Sequence, residues 1–166
     1  RQRQMCIRDS TAASPVSKEN LAIAKSWLAS SDEYNLLVNG TAITAFPVYY
    51  QNDLALLLQS LRIVQAGTEV AEVKGKDLIP AHGLAMSRLL KTSVFSTEAL
   101  TYEQAIAYLR KEAIVLPPSV PKGYVLVTYK EIPLGFVKNI GNRANNLYPQ
   151  EWRIRSGYLP DDIRTL

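Results

Sequence analysis

Cysteine and histidine are almost absent. The 166 residues include one of each, Cys6 and His82. A lone cysteine excludes a disulfide framework within the chain, and the two residues together cannot build a structural zinc site. No run approaches the roughly 18 apolar residues of a transmembrane helix, and no signal peptide opens the sequence, so no membrane association is expected. The sequence does not start with Met, which points to a cut or incomplete N-terminus. Neither G-x-G-x-x-G nor a Walker A loop is present, so neither kind of nucleotide pocket is expected.

What is present suits folding. Apolar residues make up 47% and charged residues 20%, enough to bury a core in one ordinary domain or two small ones. The net charge is +4, and it is uneven. Residues 122–166 hold seven of the 19 basic side chains but only four of the 15 acidic ones. An electropositive C-terminal third favours a polyanionic partner, although ordinary solubility explains it as well.

Residues 1–10, RQRQMCIRDS, have no clean period and resemble translated adapter sequence from metagenomic reads. They are set aside from the functional argument, and Cys6 goes with them; the alternative is a basic arm carrying Arg1, Arg3 and Arg8. Leu21, Ala24, Trp27 and Leu28 recur at helical spacing, which predicts an amphipathic helix over 18–29. Segments 36–38 and 43–46 flank Asn39-Gly40, a dipeptide suited to a tight hairpin, and Pro47 stops the second strand. Residues 52–60 read as a helix with Asn52 as N-cap. Segments 61–64 and 68–73 read as short strands around Gly67. Pro80 suits the first turn of a helix lined by Leu84, Met86, Leu89 and Leu90. The Ser/Thr-rich stretch 92–100 reads as a connector and a domain boundary.

Thr101 and Gln104 have capping-box spacing, so a helix over 102–111 is predicted, with Ala105, Ile106 and Leu109 facing the core. Pro117, Pro118 and Pro121 form a stiff loop. Residues 124–129 and 134–140 read as strands joined by a turn, and Gly141-Asn142 turns the chain again. Trp152-Arg-Ile-Arg155 alternates apolar and basic residues, the pattern of a half-exposed strand. Residues 157–166 are expected to fray.

Catalytic chemistry is hard to find. His82 has no nucleophile near it in sequence and reads as a capping or packed histidine. No acidic cluster has metal-ligand spacing, and Asp161-Asp162 reads as a solvated pair. No catalytic, cofactor-binding or metal residue is therefore assigned in this chain.

Segment 138–155 looks functional instead. Lys138, Arg143, Arg153 and Arg155 can neutralise phosphates, four Asn amides can bond bases or sugars, and Tyr148 can stack on a splayed base. The expected RNA surface is Lys138, Arg143, Asn146, Tyr148, Arg153 and Arg155 in one positive patch. In it, Arg153 and Arg155 share one face of a final strand. A structural reading stands beside this one. The Asn side chains fix turns, while Tyr148-Pro149 and Trp152 plug a barrel end; the two readings are compatible, with Leu147 and Trp152 inside and the Arg residues outside.

The stretch Leu134-Gly-Phe-Val-Lys138, then Asn146-Leu-Tyr-Pro149, then Trp152-Arg153, resembles the last domain of bacterial NOL1/NOP2/Sun-type rRNA cytosine-C5 methyltransferases. That domain is a PUA-like RNA-binding module with a pattern of roughly LGWGK, a variable turn, then KNxYPxxLR. Phe136 stands for the family Trp, Trp152 for its Leu, and Asn145 replaces the Lys before the Asn. The last change removes one expected phosphate contact, with Arg143 placed to offset it. Upstream, Gly67, Glu72-Val-Lys74 and Pro80-Ala-His82-Gly-Leu-Ala85 are similar to the subdomain that precedes the PUA-like domain in this family. The helix from Tyr102 to Arg110 is similar as well, with Lys111 where Gly is usual.

The resemblance implies an α+β fold: a small α/β subdomain over 18–91, then a PUA-like, mainly β barrel with a flanking helix over 95–156. It implies the RNA-binding, substrate-positioning part of an S-adenosylmethionine-dependent rRNA methyltransferase in the cytoplasm. The cofactor would be bound by a catalytic core, with its two cysteines, that this chain does not contain. The implied partner is rRNA or a pre-ribosomal subunit rather than DNA. Two alternatives are a stand-alone RNA-binding protein of ribosome biogenesis and a protein-interaction module. Nothing in the sequence fixes the oligomeric state.

Overall fold

The Ser17 hydroxyl accepts the Asn20 N–H at 3.1 Å. That satisfies one orphan donor of helix α1, Lys18–Ser26. The computed structural model describes residues 16–156. The adapter-like segment with Cys6 and the tail expected to fray lie outside them. The chain divides into two compact units, parted between Val94 and Phe95.

The first unit carries an antiparallel sheet in the order β1-β2-β3-β4, comprising Tyr34–Asn39, Ala42–Pro47, Thr68–Lys74 and Asp77–Pro80. Asn39 pairs with Ala42, so the hairpin loop is Gly40-Thr41, one residue later than the Asn-Gly signal suggested. Only Gly40 has positive φ there, as a turn with glycine at its first central position requires. Ile43, Ala45, Val70, Ala71, Val73, Leu84 and Ala85 are buried and form the centre of this unit. Trp27 and Leu28, just past α1, are buried as their spacing predicted.

Several local expectations fail here. Helix α2, Gln51–Ser60, starts directly from a 3-10 turn, Val48–Tyr50, so Asn52 lies inside its first turn and caps nothing. Segment 61–64 is not a strand. Pro80 does not open a helix but ends β4, an outer strand of the sheet where a missing N–H breaks no ladder. The Ala81 N–H then donates to Val70 O, which extends the ladder and leaves only one turn of helix, α3, His82–Ala85. Met86, expected inside, is exposed.

The second unit has the sheet order β5-β6-β7-β8, comprising Ser96–Ala99, Gly123–Tyr129, Ile132–Asn139 and Ala144–Asn146. The stretch read as a connector is thus partly a strand, β5, parallel to β6. Parallel neighbours need a crossover, and helix α4, Tyr102–Leu109, lies between them in sequence. The capping box forms as predicted: Gln104 N–H donates to Thr101 Oγ1 at 3.3 Å, and Thr101 N–H to Gln104 Oε1 at 3.0 Å. Ala105 and Tyr108 face inward, whereas Ile106 and Leu109 are only half-buried. Ala105 and Tyr108, with Leu109 beside them, pack with Leu100, Ile114, Leu116, Val125, Val127, Val137 and Ala144. Lys130-Glu131, both at positive φ, close the β6–β7 hairpin.

Further expectations fail in this unit. Trp152-Arg-Ile-Arg155 is not a strand: Gln150–Trp152 is a 3-10 turn and residues 153–156 have no regular structure. The Ile154 N–H bonds the carbonyl of Leu109 at the end of α4, not a sheet edge. Trp152 is 60% exposed and plugs nothing. The described strands run in linear order, with an Ile114–Ala144 bridge beyond β8. The fold is α+β with an open sheet, and no sheet closes into a barrel among the described residues.

Candidate nucleic-acid interface

The site is built on the C-terminal end of α4. A helix leaves its last carbonyls without intrahelical partners. Here the Glu112 N–H donates to Ala107 O and the Lys111 N–H to Tyr108 O, both at 2.9 Å. This is a Schellman closure, and Lys111 takes its left-handed position at φ +64°. Segment 144–156 supplies the other partners. Asn146 Nδ2 donates to Tyr108 O at 2.8 Å and to Glu112 O at 2.9 Å, and its Oδ1 accepts the Tyr148 N–H at 2.9 Å. Lys111 Nζ donates to Tyr148 O. Burial lowers the Lys111 pKa, and the nearby Glu151 carboxylate partly offsets this.

Tyr108 supports this cap from below. Its hydroxyl donates to Phe136 O at 3.1 Å, and its ring meets that of Tyr148 edge-on with centroids 5.5 Å apart. Burial, and next the Tyr148 hydroxyl, push its phenol well above the ordinary range.

The structure divides the six expected RNA-surface residues. Arg153 and Arg155 flank Ile154, whose N–H is pinned to Leu109 O at 2.9 Å. They line a shallow cavity of about 310 Å³ together with Arg110, Glu112, Ile154 and Ser156. Their proximity comes from this anchor and not from a shared strand face. Asn146 and Tyr148 are bonded into the helix cap. Arg143 is exposed in the turn after β7, its carbonyl accepting the Ile140 N–H at 3.0 Å. Lys138 pairs with Tyr124 across β6–β7, with its Nζ 5.5 Å from the ring centroid. Its neighbour Val137 packs into the α4 cluster. Side chains alternate along a strand, so Lys138 faces the other side of the sheet. One face does not carry all six residues.

Arg110 is the residue sequence reasoning missed. As a basic residue just past the last apolar position of a helix, it looks like a simple complement to the helix dipole. Among the described residues, no group of three or more His, Cys, Asp or Glu is placed to hold a metal ion. With one cysteine, the chain also lacks a catalytic cysteine pair. His82 sits in α3, and burial holds its pKa below the ordinary value. No helix among the described residues is long and apolar enough to cross a membrane.

Residues 95–154 match the family model described as the methyltransferase RsmF PUA domain. Ribosomal RNA small subunit methyltransferase F of Enterobacter sp. (strain 638) is 28% identical over 138 residues, 83% of this chain and 27% of that protein. The protein of the same name from Shigella boydii serotype 4 (strain Sb227) is 30% identical over 114 residues, 69% of this chain and 22% of its own length. The one from Shewanella piezotolerans (strain WP3 / JCM 13877) is 28% identical over 120 residues, 72% and 24% respectively. The chain therefore spans about a quarter of the length of the curated relatives it matches.

Proposed function

From the homology of this chain to the PUA-bearing C-terminal region of RsmF-type methyltransferases, we propose that it binds RNA and positions substrate. The parent activity is S-adenosylmethionine-dependent methylation of rRNA at cytosine C5, with the cofactor held by a catalytic core outside this chain. Residues 95–156 act as the PUA-like RNA module and 18–91 as the small subdomain before it. The partner is rRNA or a pre-ribosomal subunit, met in the cytoplasm.

The observation that carries this reading is the gathering of Arg153 and Arg155 at the capped end of α4, inside a unit that matches a PUA domain. Lys138 and Arg143 supply phosphate contacts elsewhere on the unit. Asn146 and Tyr148 serve the site by holding the arginine segment in place. Contacts to phosphates set position and register on a structured RNA without reading much sequence.

The test is binding of a small-subunit rRNA fragment at several salt concentrations. Lys138→Ala and Arg153→Ala should each weaken binding and lower the salt slope by roughly one unit. Circular dichroism checks their folding. A folded double variant that binds as tightly as wild type at every salt concentration would refute the reading. The interaction-module alternative draws on α2, which has no buried residue and exposes Leu56, Leu57 and Leu58. It predicts binding insensitive to salt.

A further inference from the structure

The cavity at the end of α4 contains a donor that the described residues leave unused. Arg110 Nη2 donates to Ser156 O at 3.0 Å, which fixes the plane of the guanidinium. Its Nε is buried and has no hydrogen-bond partner among the described residues. A buried N–H without an acceptor is unfavourable, more so on a charged group. Three arginines and one acidic residue, Glu112, line the same cavity, so its lining residues carry an excess of two positive charges. The chain gathers these like charges at a fixed place, because the Ile154 anchor holds Arg153 and Arg155 beside the residue that follows Leu109.

We infer that this cavity is a binding site for a phosphate group, with Arg110 as its inner donor. The Nε edge of an arginine, offered together with an Nη, matches two oxygens of one phosphate. Arg153 and Arg155 neutralise its charge from the rim. Glu112 keeps the pocket from accepting any anion indiscriminately, since a ligand has to meet the Arg110 edge to offset that repulsion. The inference rests on the RNA-binding reading for the source of the phosphate, which is the RNA backbone. A free phosphate compound offers the same chemistry.

The experiment uses the full chain and two probes, a small-subunit rRNA fragment and inorganic pyrophosphate. Arg110→Ala should weaken RNA binding about tenfold and lower the salt slope by roughly one unit. Arg110→Lys keeps the charge and loses the fork, so it should retain the slope and still bind roughly threefold or more weakly. The Arg110 Nε–H resonance in a nitrogen–proton correlation spectrum should move with either probe. It also reports on the site without any variant. Wild type that binds RNA while both variants match it and the resonance stays still overturns the phosphate site and leaves the RNA reading intact. Wild type that ignores RNA but shows a moving resonance with pyrophosphate supports the site and removes the RNA backbone as its source. No response to either probe overturns both.

Discussion

Replacing Asn146 by Ala separates a scaffold from a ligand contact. The Asn146 amide makes three hydrogen bonds within the protein: to Tyr108 O, to Glu112 O and from the Tyr148 N–H. A typical intramolecular hydrogen bond contributes about 0.5–1.5 kcal/mol net. The bond to Glu112 O is exposed, and water replaces it at little cost. The bonds to Tyr108 O and Tyr148 N are part-buried, and their partners lose an acceptor or donor that water reaches less easily. Asn146→Ala should therefore destabilise the second unit by about 2–3 kcal/mol. Hydrogen exchange of the β6 amides of Val125, Leu126 and Val127 reads that loss in this unit alone. RNA binding should weaken only in step with that loss of protection, because Asn146 acts through the arginine segment it holds and makes no phosphate contact itself. Wild-type protection of those amides combined with weaker RNA binding would refute the reasoning and make Asn146 a direct RNA contact.

Lys111 should show an inverted preference. Ala is normally better than Gly by about 1 kcal/mol in a helix. At φ +64° the left-handed backbone costs a side-chain-bearing residue roughly 1–2 kcal/mol. Both variants lose the bond to Tyr148 O, so Lys111→Gly should be more stable than Lys111→Ala by about 1 kcal/mol in urea denaturation; equal midpoints would contradict the strained cap. Gly67 has φ +78°, and a Cβ there would lie 2.3 Å from Ala45 O. Gly67→Ala must shift the β2 backbone, and should cost the first unit roughly 3 kcal/mol or more in thermal unfolding; an unchanged melting temperature would show that the Gly67 turn is not fixed by that contact.

The elements readable from sequence were those whose cause is local. The Thr101–Gln104 box, the apolar run of β6 and the helical spacing of Ala24, Trp27 and Leu28 each lie within one turn or one strand. What escaped depended on a distant partner. Ser96–Ala99 has no apolar alternation, and it is a strand because β6, 29 residues further along, accepts it in parallel register from Ser96↔Val125 onward. Pro80 looked like a helix opener until an outer strand position made its missing N–H harmless. In the candidate site, the basic and amide residues were legible as types, but their arrangement was not. Trp152-Arg-Ile-Arg155 alternates like a strand, yet the free carbonyl of Leu109 captures the Ile154 N–H.

That capture connects folding to function in this unit. The carbonyls of Tyr108 and Leu109 end a helix whose C-terminus carries a partial negative charge. Asn146 and Ile154 bring segment 144–156 to them by hydrogen bonds, and the segment arrives with Arg153 and Arg155 on either side of its anchor. Arg110 is already there as the residue that closes the helix. The negative end of α4 favours cations and so suits the gathering of three arginines there. The groups that satisfy the helix therefore also assemble the basic cavity. A residue such as Asn146 then matters to an anionic ligand without touching it, since loosening the cap releases the arginines from the positions in which they converge.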